Sequence, residues 1–312
     1  MAGTQKGLVV VFGGSGFVGR HIVRRLAKDG FKLRVVMRRP NEALFLKTAG
    51  RTGQIELVQG NIRDEASSRT ALQGALAVIN AVGILYETGP QKFDSVQSAG
   101  AARLATLAAE QGIDRFIQIS AIGADAGSAS AYARSKAEGE AAILAACPQA
   151  HVLRPSIVVG PEDDFFNRFA RMAQIAPALP LVGGGLTRYQ PVGVFDVAQA
   201  VAACLDGAPS GIYELGGPQI YTFRELMELM LDKIGKRRLL VPLPFAAAGM
   251  LAQFTRFLPT PPLTPDQVIL LRSDNVVGKN LPDLAALGIE ATPIAALLDS
   301  YLGRYRGASK TV

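Results

Sequence analysis

The sequence predicts an α/β protein, built as a doubly wound parallel sheet with a smaller, irregular C-terminal domain. Through the first 160 residues, short apolar runs rich in β-branched residues alternate with Ala-, Leu- and Arg-rich segments of helical periodicity. The apolar runs are nearly continuous, which is typical of strands that are covered on both faces. Strands alternating with helices in this way favour right-handed crossovers and a parallel sheet.

Six strands and four helices follow from this pattern. The predicted strands are residues 8–12, 33–37, 55–59, 78–82, 115–120 and 151–159. The predicted helices are residues 17–28, a weaker segment at 67–72, 92–111 and 132–147.

The regular alternation of strands and helices ends after Gly160, where Pro and Gly become frequent and the predicted strands and helices become shorter. We therefore expect domains at 1–160 and 161–312, with some segments of the second part returning to the sheet. One helix stands out in the second part, at residues 222–234, because Thr222 and Glu225 have the spacing of a capping box.

A glycine-rich turn joins the first strand to the first helix. Gly14, Gly16 and Gly19 satisfy G-x-G-x-x-G, and Gly13 gives the related G-x-x-G-x-x-G. Such glycines let the backbone approach a pyrophosphate, at which the free N–H groups of the helix start are aimed. Because the motif follows a strand and opens a helix, we expect a Rossmann-type dinucleotide site rather than a merely structural turn.

The end of the second strand bears on the identity of the cofactor. An NAD site needs an acidic side chain there for the ribose 2′-OH, whereas this chain has Arg38 and Arg39. Arginine binds a 2′-phosphate well, so NADPH (or NADP) is expected; the alternative is a solvated pair of arginines. The residues expected to line the cofactor are Gly13, Gly14, Ser15, Gly16, Phe17, Val18, Gly19, Arg38, Arg39, Asn61, Ile62, Ala81, Val82, Gly83, Tyr132, Lys136 and Pro155.

A catalytic pattern lies in the fourth helix. Tyr132 and Lys136 are four residues apart and therefore share one helix face, while Ser120 ends the preceding strand. In this arrangement Lys136 would hold ribose hydroxyls and lower the pKa of Tyr132, so that the phenol exchanges a proton with a substrate oxygen that Ser120 polarises.

Composition argues against several other classes of site. Two histidines and two cysteines without CxxC spacing offer almost nothing for zinc, so no metal is expected. The net charge of +7 is not gathered in basic runs with interleaved aromatics, so no nucleic-acid partner is expected. The first residues suggest neither a signal peptide nor a transit peptide, and no apolar run reaches the length of a membrane span.

These residues together resemble the short-chain dehydrogenase/reductase superfamily, in its extended and atypical branches. The resemblance covers essentially the whole chain and continues through LRPSIVVGP (153–161) and QPVGVFDVAQA (190–200). It implies that the first of these stretches passes the nicotinamide. Two departures are Asn61, where an acidic residue is common, and the short connection between Ser120 and Tyr132.

A narrower resemblance is to the NADPH-binding accessory subunits of respiratory complex I, the NADH:ubiquinone oxidoreductase. It is carried by SAYARSKAEGE, GPEDDFFNRFA, PLPFAAAGMLAQF and LGIEATPIAALLDSYLGRYR. That family is described as holding NADPH in a structural role beside the quinone-binding junction. The resemblance implies complex I subunits as partners and, for a bacterial form, a cytoplasmic protein on the inner face of the cytoplasmic membrane.

Three hypotheses therefore stand. In the first, the chain is an accessory subunit that holds NADPH, and the apolar segment from Pro242 to Phe257 meets a membrane interface, a partner protein or only its own pocket. In the second, it is a soluble NADPH-dependent reductase or epimerase that uses Ser120, Tyr132 and Lys136. In the third, it is a redox sensor that binds NADP and NADPH differently.

Overall fold

The computed structural model describes residues 6–255, 257–258 and 261–306. The first part of the chain forms β1 (Lys6–Phe12), α1 (Phe17–Lys28), β2 (Phe31–Met37), β3 (Ile55–Gln59), α2 (Glu65–Leu72), β4 (Ala77–Asn80), α3 (Ala99–Glu110), β5 (Arg115–Ile119), α4 (Ala131–Ala146) and β6 (His151–Pro155). The rest forms β7 (Val158–Val159), α5 (Phe165–Ile175), β8 (Ala178–Val182), β9 (Arg188–Tyr189), β10 (Val192–Gly193), α6 (Val194–Leu205), β11 (Gly211–Leu215), β12 (Tyr221–Thr222), α7 (Phe223–Lys233), β13 (Leu239–Leu243), α8 (Phe245–Thr255), α9 (Pro265–Leu270) and α10 (Ile294–Leu302).

Seven strands form one parallel sheet in the order β11-β6-β5-β4-β1-β2-β3. The direction of strand addition reverses between β1 and β4, and such a reversal opens a crevice at the carboxyl edge of the sheet. The apolar runs that predicted the strands are buried as expected; in β1, Val9, Val10 and Val11 have no exposed surface. The predicted Rossmann-type doubly wound parallel sheet is confirmed.

Several element boundaries differ from those predicted. The strand expected at 151–159 is two strands, because β6 ends at Pro155, which has no N–H to extend a ladder, and β7 pairs with β10. The helix expected at 92–111 starts with a π-helical turn at Asp94–Ser98 before α3. Edge strand β11 lies far along the chain and was not predicted, because its five residues show no strong alternation.

Two compact units share the chain. The first contains the described residues of Met1–Pro155 together with Phe195–Leu215 and Asn280–Ile289. The second contains Ser156–Val194 and the described residues of Gly216–Lys279 and Glu290–Val312. Within the region 161–312, the segments Phe195–Leu215 and Asn280–Ile289 thus belong to the first unit, and the other described residues belong to the second.

The second unit has an apolar core of its own, formed by residues of α5, α7 and α10 around the short strand β8. Phe165 lies edge-on against Phe169 and Phe223, with ring centroids 5.6 and 6.0 Å away. The capping box predicted at the start of α7 is confirmed, with the Thr222 hydroxyl accepting from the N–H of Glu225 at 3.2 Å. None of the helices among the described residues has the length and apolarity that crossing a bilayer requires.

A close contact in the first unit requires glycine inside a helix. Gly139 of α4 faces the turn before α3, and a methyl group built on it would lie 2.3 Å from the carbonyl oxygen of Gln97. Gly249 of α8 also lies inside a helix, but a methyl group there would have no atom within 4 Å. Substituting alanine for each of these two helical glycines therefore compares a tightly packed position with an open one.

We expect Gly139→Ala to lower the free energy of unfolding by about 1–3 kcal/mol or more, because α4 must move away from the turn before α3. Gly249→Ala should raise it by roughly 0.5–1 kcal/mol, because alanine favours the helix. Urea unfolding followed by circular dichroism measures both changes. Equal effects of the two substitutions would contradict the packing described for α4.

Candidate functional site

The glycine-rich turn is packed so closely that most of its glycines have no substitute. Gly13 has a φ of +77°, and a methyl group on it would lie 2.8 Å from the carbonyl of Ala81. A methyl group on Gly14 would lie 2.4 Å from the side chain of Val35, and one on Gly19 only 2.2 Å from the carbonyl oxygen of Gly13. These three glycines allow the start of α1 to lie against the ends of β1 and β4.

Gly16 is different, because the protein itself leaves room beside it. It is exposed, and a methyl group there would meet only the oxygen of Gly13, at 3.3 Å. It is also the N-cap of α1, where it has no side chain to bond the free N–H groups, and the first turn contains no acidic residue. A ligand that approaches the backbone closely, such as a pyrophosphate, accounts for a glycine here.

Arg20 reinforces this turn and was missed by sequence reasoning. Its guanidinium donates to the carbonyl oxygens of Ser15 at 3.1 Å and Gly16 at 3.3 Å and lies 4.8 Å from the ring centroid of Phe45. These hydrogen bonds stabilise the glycine-rich turn, and the guanidinium places a positive charge beside it. Its position four residues after Gly16 was the available signal. The other two predicted residues at the start of α1, Phe17 and Val18, are partly buried.

The turn after β3 contains Asn61 and Ile62. The Asn61 side-chain oxygen accepts from the N–H of Arg63 at 3.1 Å, which closes the turn and leaves the second lone pair of that oxygen for another donor. Ile62 is buried, with 5% of its surface exposed, and packs in the core beneath the sheet edge. Asn61 therefore fits the predicted contact with an adenine amino group, whereas the Ile62 side chain is part of the core.

The loop after β4 passes beside the glycine turn. Ala81 donates its N–H to the oxygen of Phe12 at 2.9 Å, and Val82 donates to the side-chain oxygen of Asn80 at 3.1 Å. A methyl group on Gly83 would lie 3.5 Å from the Lys136 ammonium. This loop therefore connects the glycine turn to the predicted catalytic residues.

The two predicted arginines after β2 have different surroundings. Arg39 forms an ion pair with Glu42 at 2.9 Å, in which both side chains are more than half exposed. Arg38 instead reaches Gln91 in the loop between β4 and α3, and its Nη1 lies 3.1 Å from the amide oxygen when the amide is oriented to accept. Nothing in the amino-acid sequence distinguishes these two arginines.

Tyr132 and Lys136 lie together on α4, as predicted. The Lys136 ammonium is 5.9 Å from the ring centroid of Tyr132, and that ring lies edge-on to Phe93 at 5.7 Å. Lys136 donates to the carbonyl oxygen of Ile119 at 3.3 Å and has 6% of its surface exposed. Burial lowers the pKa of Lys136 to about 8, although the nearby Glu140 favours the charged form.

Ser120 lies at the carboxyl edge of the sheet, but the structure does not direct its proton to a substrate. Its hydroxyl donates to the buried carboxylate of Glu140, which also accepts two hydrogen bonds at 3.1 Å from Nε of Arg154. To polarise a substrate oxygen as predicted, Ser120 would have to release Glu140. Glu140 was missed, although it continues the spacing of Tyr132 and Lys136 by one further turn of α4.

Arg154 anchors this carboxylate to the sheet. It lies on β6, donates from Nη2 to Glu140 at 2.5 Å and lies 3.8 Å from Glu214 on β11. The bond to Glu140 raises the pKa of Arg154. Pro155 ends the same strand, and its carbonyl oxygen accepts from the N–H of Ile122 at 3.0 Å. The buried charges therefore fix α4 against β6 behind the Tyr132 and Lys136 pair.

The arrangement suits a bound dinucleotide. It offers an open glycine-capped helix start for a pyrophosphate, an amide for adenine, and a buried lysine beside a tyrosine for ribose hydroxyls and proton exchange. Over the ranges that the structure covers, no group of three or more His, Cys, Asp or Glu side chains is arranged to hold a metal ion.

Comparison with known proteins is consistent with this geometry. A relative from Arabidopsis thaliana, "NADH dehydrogenase [ubiquinone] 1 alpha subcomplex subunit 9, mitochondrial", is 37% identical over 96% of this chain and 78% of its own length. The "Ceramide reductase" of Caulobacter vibrioides is 32% identical over 78% of this chain and 76% of its own length.

A solved structure and a family model extend the comparison. The dTDP-glucose 4,6-dehydratase of Bacillus anthracis, solved in complex with NAD, superposes with a TM-score of 0.74 over 96% of each chain, at 18% identity. At that identity the likeness concerns the fold. The model of the "NAD dependent epimerase/dehydratase family" matches residues 9–216, from β1 to just beyond β11. With two thirds of its length matched, this chain belongs to the NAD dependent epimerase/dehydratase family.

Proposed function

We propose that this protein holds NADPH as an accessory subunit of respiratory complex I and does not turn the cofactor over. The observation that carries the proposal is the extent of its similarity to the Arabidopsis thaliana subunit, which spans 96% of the chain. That span includes the second unit, which a generic dinucleotide-binding domain does not need. The likeness to the ceramide reductase spans 78% of the chain.

The choice of NADPH rests on Arg38. The end of β2 lies beside the ribose in this fold, where an NAD site would place a carboxylate. Here Arg38 is exposed and bonded to a neutral amide, so its charge is available to a 2′-phosphate. Arg39 contributes less, because Glu42 already compensates its charge.

The proposed lack of turnover rests on Ser120 and Glu140. The Ser120 proton is donated to a carboxylate that the partly buried Arg154 also holds, so moving the proton towards a substrate would leave Glu140 less well bonded. Lys136 remains able to hold a ribose, since its contacts do not depend on Ser120. The site therefore supports binding better than it supports proton transfer.

The proposed docking surface is the exposed face of α8 together with Phe257. Met250, Phe254 and Phe257 are 62%, 83% and 78% exposed, while Ala248 and Ala252 on the opposite face are buried. We propose that this face meets complex I subunits or lipid at the membrane junction, on the inner side of the cytoplasmic membrane. Arg256, within the predicted apolar segment, lies outside the described residues.

A second candidate function is an NADPH-dependent reductase or epimerase. It is favoured by the adjacent Tyr132 and Lys136 and by the likeness to the ceramide reductase. In that case added ketone or hydroxyl substrates would change the redox state of the bound cofactor, and Tyr132→Phe would stop the change without releasing the nucleotide.

The protein, tagged and expressed in its own organism, is expected to co-purify with complex I subunits from detergent-solubilised membranes and to contain NADPH. Phe254→Ser should reduce the recovered complex I several-fold, because it places a hydroxyl in the apolar docking surface. The control is Leu44→Ser, at an apolar residue of the first unit that is 55% exposed. Mass spectrometry of the subunits and an assay of released nucleotide measure the two results.

Recovery of the protein without complex I subunits would contradict the accessory role. Equal recovery with Phe254→Ser and Leu44→Ser would contradict the assignment of the docking surface alone.

Lys136 should make stability depend on pH in a defined window. Its pKa is about 8 in the folded chain and near its ordinary value of 10.5 when unfolded, so between these values the unfolded chain binds a proton that the folded chain has lost. Stability relative to Lys136→Met should therefore rise from pH 8 to 10, by at most about 1.4 kcal/mol per pH unit. Lys28→Met, at an exposed position of α1, should not change the pH profile.

Urea unfolding at pH 7, 8, 9 and 10 measures this difference. Parallel stability profiles for the wild type and Lys136→Met would mean that the pKa of Lys136 is not lowered. NADPH binding should be lost in Lys136→Met, because the ribose loses a donor.

A further inference from the structure

Two arginines from neighbouring loops converge on one point at the carboxyl edge of the sheet. β2 and β3 are paired in parallel up to Met37 and Gln59, and the N–H of Gly60 donates to the oxygen of Met37 at 2.9 Å. Arg38 follows β2 directly, and Arg63 lies in the turn after β3. Pairing of these two strands therefore determines that the two side chains start close together.

The two guanidinium groups share a single neutral acceptor. With its amide oriented to satisfy its neighbours, the side-chain oxygen of Gln91 accepts from Nη1 of Arg38 and from Nη2 of Arg63, each at 3.1 Å. Two positive charges held this close repel each other, and an amide dipole offsets that repulsion only in part. An anion at the position of the Gln91 oxygen would offset it far better.

Neither arginine has a carboxylate partner among the described residues. Arg63 Nη1 donates to the carbonyl oxygen of Pro90 at 2.9 Å, whereas its Nε is buried and has no hydrogen-bond partner in the part of the chain that the structure describes. A buried donor without an acceptor costs free energy. The Nε–H of Arg63 therefore indicates that a bound ligand supplies the acceptor. Arg39, by contrast, already has Glu42 as its counter-ion.

The location identifies the kind of anion. The turn that holds Arg63 is closed by Asn61, whose side-chain oxygen accepts from the N–H of Arg63 and is the predicted contact for adenine. Arg38 lies at the end of β2, where the adenosine ribose is expected. A phosphate monoester on that ribose would lie between the two arginines.

We propose that Arg38 and Arg63 together form the subsite for the 2′-phosphate of NADPH, and that Gln91 fills this subsite when no phosphate is bound. The inference rests on the proposed binding of NADPH and adds its specificity-determining residues. Arg63 donates to the phosphate through Nε and Nη2, and Gln91 is displaced when the phosphate enters.

The test compares the affinities of NADPH and NADH, measured by the fluorescence of the reduced nicotinamide in a protein that has no tryptophan. Arg63→Gln should weaken NADPH binding roughly 10- to 100-fold, as expected for loss of charged hydrogen bonds. NADH binding should change less than about threefold, which also shows that the variant is folded. Arg51→Gln, at an exposed position of the first unit outside the predicted site, is the matched control and should change neither affinity appreciably.

Gln91→Ala is an independent test of the subsite, because it removes the side-chain oxygen that competes with the phosphate and leaves both arginines unchanged. It should strengthen NADPH binding a few-fold and leave NADH binding unchanged. A loss of NADPH affinity in Gln91→Ala would contradict its role as an occupant of the subsite.

Smaller probes distinguish a cofactor phosphate from a free one. Adenosine 2′-monophosphate should compete with NADPH in the wild type and compete much less in Arg63→Gln, whereas adenosine 5′-monophosphate should compete equally in both. If inorganic phosphate competes as strongly as adenosine 2′-monophosphate, the subsite takes free phosphate and the assignment to the cofactor is wrong.

Failure of this inference and failure of the proposed function give different results. If the wild type does not prefer NADPH to NADH, the proposed cofactor is wrong and the subsite with it. If the wild type prefers NADPH and Arg63→Gln keeps that preference, NADPH is still the cofactor and only the proposed role of Arg63 is wrong.

Discussion

The contact between Gly13 and Gly19 positions the rest of the site. A side chain on Gly19 would overlap the carbonyl oxygen of Gly13, and a side chain on Gly13 would overlap Ala81. Only glycine therefore lets α1 start directly above the ends of β1 and β4, with its free N–H groups at the carboxyl edge of the sheet. The loops that carry Arg38, Arg63 and the predicted adenine contact meet at that same edge.

A second constraint acts behind the cofactor site. Glu140 on α4 and Arg154 on β6 form a buried ion pair that also engages Ser120. Removing either partner would leave a buried charge without compensation, so this pair fixes α4 against the sheet and thereby fixes Lys136. The same pair holds the proton that a catalytic serine would need. Under the proposed function, one interaction thus supports cofactor binding and makes proton transfer from Ser120 less favourable.

The sequence predicted those features that depend on local pattern. The parallel sheet, the glycine turn and the shared helix face of Tyr132 and Lys136 all follow from residue spacing within a few turns or one strand. The capping box of α7 belongs to the same class. Each is encoded by neighbours along the chain, so it is readable without knowing the tertiary structure.

Features that depend on distant residues were not predictable in this way. Edge strand β11 joins the sheet from a point sixty residues beyond β6 in the numbering, and its partner cannot be read from its own residues. The proposed role of Arg63 becomes visible only in the tertiary structure, where the parallel pairing of β2 and β3 brings Arg63 close to Arg38 and Gln91. The predicted contact of Ser120 with a substrate overlooks Glu140, because the sequence does not show that a carboxylate twenty residues later accepts the Ser120 proton.

The dissociation rate of NADPH distinguishes the proposed structural cofactor from one that the protein uses. Stopped-flow fluorescence, with excess NADP added to the NADPH-loaded protein, measures that rate. If the protein only holds NADPH, release should be far slower than the ~1–1,000 per second at which typical enzymes turn over, and the released nucleotide should still be reduced after incubation with ketones. Release within that range, with the nucleotide oxidised by an added ketone, would contradict a purely structural role of NADPH.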